Sequence, residues 1–280
     1  MSITSPFGLN ALESIAGNFA KSSKLPVVFI GHGSPMNAIQ QNPFTETLRK
    51  WGESIEKPQA ILMVSAHWIT MHNTKISVNP NPETIYDFGG FPPALSQVKY
   101  PAPGHPVLAR ETAAMVSSIK IHENHEQGLD HGAWTILKHI FPKADVPCFQ
   151  LSIDYAAPPA KHFELAAQLK KLREKGVLIM GSGNVVHNLR EVNFNSPNPA
   201  PYDYTVEFDS FVKKNLESGD YMQLVNFQQN ANLAIKAHPT HDHYLPLLYT
   251  LGAADKGEKL NTIFEELQVS SISMRSFVLG

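Results

Sequence analysis

A chain of 280 residues, 42% hydrophobic and 17% charged, is long enough to bury a large core and reads as one domain with insertions. A formal charge of −2 with no long basic run gives no electrostatic case for nucleic acid or an anionic membrane, and no apolar run approaches the length of a transmembrane helix. The single Cys148 rules out an internal disulfide framework and a multi-cysteine zinc site, so among 13 histidines any metal is expected to meet imidazole and carboxylate.

Residues 1–25 read as a polar lead-in, with a short helix expected near residues 9–19, ahead of one domain over residues 26–280. This lead-in carries Glu13 and lacks a continuous apolar segment of the signal-peptide kind, so a cytoplasmic location is expected. The apolar run Val27-Val28-Phe29-Ile30 then predicts a buried strand, followed by Gly31-His32-Gly33-Ser34-Pro35. Pro43 opens a predicted helix that ends at Gly52, with Phe44 and Leu48 on one face. A second strand is expected over residues 60–64 and leads through Ser65-Ala66 to His67, and a third, short one over residues 75–78.

Residues 79–104 change character. Asn-Pro-Asn-Pro, Tyr86-Asp87-Phe88-Gly89-Gly90-Phe91-Pro92-Pro93 and Tyr100-Pro101-Ala102-Pro103-Gly104 form a long Pro/Gly-rich loop whose aromatic residues argue for packing, as a lid or wall over a pocket. Pro106 opens a helix with Leu108, Thr112, Met115, Val116 and Ile119 at helical spacing. Asp130-His131-Gly132 enters a further helix running to Phe141. Residues 146–154 predict one strand, and Pro158 starts a helix with Leu165, Leu169 and Leu172 as its buried stripe and His162 at the stripe's edge. Val177-Leu178-Ile179-Met180 repeats the first pattern, an apolar run followed by Gly181-Ser182-Gly183-Asn184-Val185-Val186-His187. Helices are expected over residues 206–217 and 221–226. Then come His238, His241, Asp242 and His243 before a helix that starts near Pro246 and ends at Gly252, which puts Asp242 and His243 at a helix mouth facing outward. Residues 271–279 alternate and predict a final antiparallel strand.

Three apolar runs, each followed by small residues and a histidine, would bring His32, His67 and His187 together beyond the carboxyl ends of strands, where open α/β sheets bind ligands. For each histidine alone a satisfied loop or core position is the plainer reading; jointly they favour a metal site, because His is the commonest metal ligand. His243 joins them, with Asp242, His131, His238 and His241 nearby in pattern. There is no serine nucleophile elbow, Walker A or Rossmann fingerprint, and Gly181-Ser182-Gly183 without a further Gly or Lys is a weak phosphate signal.

Gly31-His32-Gly33-Ser34-Pro35-Met36, Ser65-Ala66-His67-Trp68, Tyr86-Asp87-Phe88-Gly89-Gly90-Phe91-Pro92, Asp130-His131-Gly132, Ser182-Gly183-Asn184-Val185-Val186-His187-Asn188 and Asp242-His243-Tyr244-Leu245-Pro246-Leu247 together resemble the class III extradiol ring-cleavage dioxygenases, in the branch similar to 4,5-DOPA extradiol dioxygenase. The resemblance runs in order over nearly the whole chain from Pro26. It implies a mixed, mostly parallel central sheet flanked by helices. In that family one divalent metal, Fe(II) in active enzymes, holds a catechol through both hydroxyl oxygens, and O₂ binds beside it to open the ring next to the diol. The resemblance implies His32, His67 and His243 as metal ligands, His187 as catalytic acid/base or fourth ligand, and His131 as a catalytic histidine near substrate and oxygen. His238, Tyr86 and Phe88 are the expected substrate contacts. An all-imidazole set departs from the 2-His-1-carboxylate triad of many relatives and also suits Zn(II). A zinc-dependent hydrolase and a non-enzymatic binding protein on the same scaffold are the competing readings.

Overall fold

Val27–Gly31 (β1), Ala60–Ser65 (β2) and Val177–Gly183 (β8) are buried along their whole length, as strands covered on both faces must be. Because side chains alternate across a strand, Val27, Phe29, Leu62, Val64 and Ile179 point into one core layer, and Val28, Ile30, Ile61, Met63 and Met180 into the other. The computed structural model describes residues 24–280 apart from Pro197, so the helix expected near residues 9–19 lies outside the described residues.

Between these strands, in chain order, lie helix α1 (Pro43–Ser54), strands β3 (Ile69–Thr70) and β4 (Thr74–Ser77), α2 (Pro106–Met115), β5 (Ile121–Asn124), α3 (His131–Ile140), β6 (Cys148–Gln150), β7 (Ile153–Asp154) and α4 (Pro159–Ala167). After β8 come α5 (Asp203–Ser218), α6 (Tyr221–Val225), α7 (Ala231–Ala237), α8 (Leu245–Ala253), β9 (Leu260–Phe264), β10 (Leu267–Gln268), β11 (Ile272–Ser273) and β12 (Ser276–Leu279). The central sheet has the order β6-β2-β8-β1-β12-β9. Its first four strands are parallel, while β12 runs antiparallel to β1 and to β9. The α1 and α3 side chains fill one layer and those of α2, α4, α5 and α8 the other, which gives an α/β/α arrangement.

Several expectations change. The strand expected over residues 146–154 is broken: β6 stays in the central sheet, Leu151 bridges Ile76, and β7 leaves to pair with β3. Ser152 marks the departure, its Oγ accepting from Lys75 N at 2.7 Å while its own N–H donates to Lys75 O at 2.8 Å. The C-terminal strand is likewise two pieces, β11 and β12. The helix after Pro106 ends at Met115, leaving Ile119 outside it and 38% exposed. The stripe after Pro158 is buried, but Leu172 lies in a 3-10 helix, Lys170–Lys175. His243 is 6% exposed and faces the interior, which corrects the outward placement expected at the helix mouth.

Candidate metal centre

Strand register sets the site. Gly31 pairs with Gly183 and Ser65 with Ser182, so β1, β2 and β8 end in one row. The ladder runs one step further, His32 N donating to Gly183 O at 3.0 Å and Ala66 N to Ser182 O at 2.9 Å, which puts His32 and His67 just past the ends of the two strands that flank β8. His243 arrives from the start of α8, which lies directly against β8. A Cβ at Gly181 would stand 2.5 Å from Pro246 O, and one at Gly183 only 2.2 Å from His243 O, so only glycine permits this approach. Asn184 N, donating to His243 O at 2.9 Å, holds the two segments together. His131 is the first residue of α3, a helix capped by Asp130, whose Oδ1 accepts from Ala133 N at 3.1 Å.

The rings of His32, His67 and His243 form a near-equilateral triangle, with centroids 5.0, 5.2 and 4.9 Å apart. His131 flanks it at 3.8 Å from His67, and His187 stacks on His243 at 3.5 Å with the ring planes 8° apart. Nitrogen and carboxylate donors fall into two groups that each span less than 4.8 Å: His32, His67 and His131, and His187, Asp242 and His243.

The partners of the outer nitrogens settle which nitrogen faces inward. Ser182 Oγ donates to Gly132 O at 2.6 Å, so its one proton is engaged and it accepts from His32 Nδ1 at 3.0 Å. Asp242 Oδ2 accepts a short hydrogen bond from His243 Nδ1. Asp87 Oδ2 lies 3.4 Å from His67 Nδ1. With protons on these Nδ1 atoms, each ring is left with a bare Nε2. The Nε2 atoms of His32 and His67 are 3.1 Å apart. Two ligands at about 2.0–2.1 Å from one cation are separated by roughly 2.9–3.4 Å for angles between octahedral and tetrahedral. The His32–His67 pair therefore fits a single divalent metal, with His131 the third donor within 4.8 Å of both.

Burial disfavours charge on these rings. It holds His32 and His243 well below the ordinary histidine range, helped by the neighbouring imidazoles, and lowers His67 to about 3 and His187 to about 4. Neutral imidazoles are the metal-binding form, so no proton must be displaced near neutral pH. Burial also raises the Asp130 carboxyl to about 6, although Ser65 Oγ donates to its Oδ1 at 2.6 Å.

The structure thus gathers His32, His67, His243, His131 and His187, but not every residue expected at the site. Phe88 is near, its ring edge-on to His131 at 5.6 Å. Tyr86 turns away: its hydroxyl donates to Val98 O at 2.6 Å and its ring packs on Trp134. His238 is fully buried behind the His187 segment, with Nε2 donating to Val185 O at 2.6 Å and its ring among Phe208, Phe227 and Tyr244, so it offers no surface to a substrate. His241 instead bonds Gln228. Sequence reasoning missed Asp87, Asp130 and Ser182. Asp130 carried a readable signal as the capping aspartate ahead of a helix; the other two carried none.

Residues 19–278 match the family described as the catalytic LigB subunit of aromatic ring-opening dioxygenase. The chain is 43% identical to 4,5-DOPA dioxygenase extradiol of Escherichia coli (strain K12), over 92% of this chain and 96% of that protein. It is 36% identical to the Beta vulgaris protein of the same name, over 89% of this chain and 94% of that one. The crystal structure of an uncharacterized protein from Escherichia coli K12 superposes with a TM-score of 0.80 at 38% identity, covering 91% of this chain and 100% of that one. Since both the family match and these relatives extend over most of its length, the chain belongs to the class III extradiol dioxygenases.

Proposed function

We propose that this dioxygenase opens the aromatic ring of a catechol of the DOPA type next to its diol, with O₂ as co-substrate and one divalent metal held by His32, His67 and His243. The carrying observation is the convergence of three imidazoles whose outer nitrogens are engaged by Ser182, Asp87 and Asp242. Fe(II) bound there would supply the redox chemistry with O₂ that Zn(II) lacks.

The chain's own residues supply proton handling, orientation and an apolar wall. Burial keeps His187 neutral near pH 7, and the neighbouring Asp242 carboxylate is the group that would stabilise its charged form once it takes a catechol proton. Its stacking on His243 sets the ring's orientation beside the ligand triangle. His131 flanks the opposite side as a second catalytic histidine, next to His67. Phe88, packed at right angles to the His131 ring, adds an apolar aromatic wall beside the cluster for a planar substrate. The reading has small-molecule partners only and a cytoplasmic location; among the described residues no helix is long and apolar enough to cross a membrane.

Anaerobic reconstitution with Fe(II), followed by a panel of substituted catechols and admission of O₂, tests this reading. Coloured ring-opened product with one O₂ consumed per catechol is expected. Ester or amide hydrolysis by the Zn(II)-loaded protein without ring opening would establish a hydrolase instead, and catechol binding without turnover a binding protein.

A further inference from the structure

The loop over residues 79–104 does more than cover the site. Asp87 reaches from it into the cluster, its Oδ1 accepting from the backbone N–H of His131 at 2.9 Å. Its Oδ2 lies 3.0 Å from His131 Nδ1 and 3.4 Å from His67 Nδ1. The His131 Nδ1 atom is buried and makes no well-aligned hydrogen bond among the described residues, so the Asp87 carboxylate at 3.0 Å acts on it as a charge beside the ring. Next along the chain, Phe88 packs edge-on against the same ring. Ser182, on β8, accepts from His32, and Asp242, in the turn before α8, from His243. Asp87 faces two imidazoles with one oxygen, on a segment without regular strand or helix around it.

We propose that Asp87 is a positioning residue that sets the tautomers of His67 and His131 together, turning a bare Nε2 of both rings inward. This rests on the dioxygenase reading for its consequence in catalysis, but not for its consequence in metal binding. With Oδ1 accepting from the His131 backbone N–H, Oδ2 faces both rings and, as a carboxylate oxygen with no proton to give, draws the Nδ1 proton of each toward itself. An amide accepts at one atom and donates at the other. With its oxygen kept on the His131 backbone N–H, the Asp87→Asn side chain turns its NH2 toward both Nδ1 atoms and favours the tautomer that points N–H at the metal or the substrate. Removing a histidine's outer partner at a metal site typically weakens metal binding by about 10–100-fold.

The experiment measures Zn(II) affinity by chelator competition and reads the His131 tautomer by ¹⁵N NMR in Zn(II)-loaded wild type, Asp87→Asn and Asp87→Glu. Expected in the wild type is His131 protonated at Nδ1 with Nε2 bare. Asp87→Asn should bind Zn(II) about 10–100-fold more weakly and populate the Nε2–H tautomer of His131. Asp87→Glu, which keeps the carboxylate, should recover most of the affinity and the wild-type tautomer. A role confined to capping α3 would lower thermal stability and leave metal affinity and tautomer unchanged. Zn(II) affinity within twofold of wild type in Asp87→Asn, or an Nε2–H tautomer of His131 in the wild type, would overturn the proposal; the second reading holds even if Asp87→Asn fails to fold. Neither measurement uses a catechol, so an Fe(II)-loaded wild type that leaves every catechol intact removes the dioxygenase reading without touching this one.

Discussion

His162, His238 and His139 are histidines that pack, whereas His32, His67 and His243 are histidines that converge, and the two sets differ in which nitrogen carries the proton. In the first set Nε2 meets a backbone carbonyl: Ala157 O at 3.3 Å, Val185 O at 2.6 Å and Asn37 O at 2.8 Å respectively. Carbonyls only accept, so these rings are Nε2–H tautomers. In the second set Nδ1 faces Ser182, Asp87 or Asp242, and Nε2 is left for the interior of the site. Burial does not separate the sets, because it lowers the pKa of all six. The outer partner decides whether a buried imidazole packs or binds.

The contrast breaks first at the ligands. Alanine at His32, His67 or His243 should weaken divalent metal binding by more than about 10²-fold, read by metal analysis after dialysis, because each removes a neutral nitrogen donor. His162→Ala should keep full metal occupancy yet lose about 2–3 kcal/mol of stability in urea titrations, since it opens a cavity and strands the Tyr249 hydroxyl. If His243→Ala keeps its metal while Asp242→Ala loses it, the third ligand has been assigned to the wrong residue. The next effect concerns turnover. His187→Gln should hold metal near the wild-type level but react roughly 10²–10⁴-fold more slowly, as for a removed acid/base; loss of the metal as well would make His187 a ligand and pass the proton role to His131.

Acid sharpens the comparison further. His162 falls to about 4 in the fold, chiefly from burial, against an unfolded value of about 6.5. The unfolded chain therefore takes up the proton first. The stability from this group is fully present above pH 6.5 and is lost as the pH drops toward 4, a loss of at most about 3 kcal/mol. Urea midpoints of Zn(II)-loaded wild type and His162→Phe over that range should show a shallower acid limb for the variant. The smallest effect is at the loop: Phe88→Ala should raise the KM for a catechol by about 5–10-fold with metal content unchanged, as expected for an aromatic contact worth about 1 kcal/mol.

Much of this site was legible because β1, β2 and β8 are uninterrupted apolar runs that end at small residues, so the histidines after them had to lie at strand ends. Pro43, Pro106 and Pro246 each sit in the first turn of a helix for the same local reason. What failed was decided by distant contacts. Residues 146–154 have the composition of one strand, and nothing local shows that Ser152 bonds Lys75 and diverts the chain. β5 and β9 are half-exposed strands without strong alternation, and α7 is only seven residues long. His243 seemed to face outward because helix entry was read without the two glycines of β8 that draw α8 inward. Asp87 and Ser182 were invisible as partners because their meaning depends on the ring each touches.

His32 and His243 lie near opposite ends of the described chain and meet where α8 packs on β8 and β1, Thr250 Oγ1 donating to Val28 O at 3.3 Å. Contacts so distant in sequence close late in folding. An unfolded or half-folded chain offers a cation only scattered single imidazoles, so tight binding reports that the parallel sheet is complete. By mass action the same coupling runs backward. A free metal concentration 100 times the dissociation constant adds about 2.7 kcal/mol to the folded state. Cells short of the metal would then carry less of this protein as well as a slower enzyme, because the apo chain opens more often and is cleared.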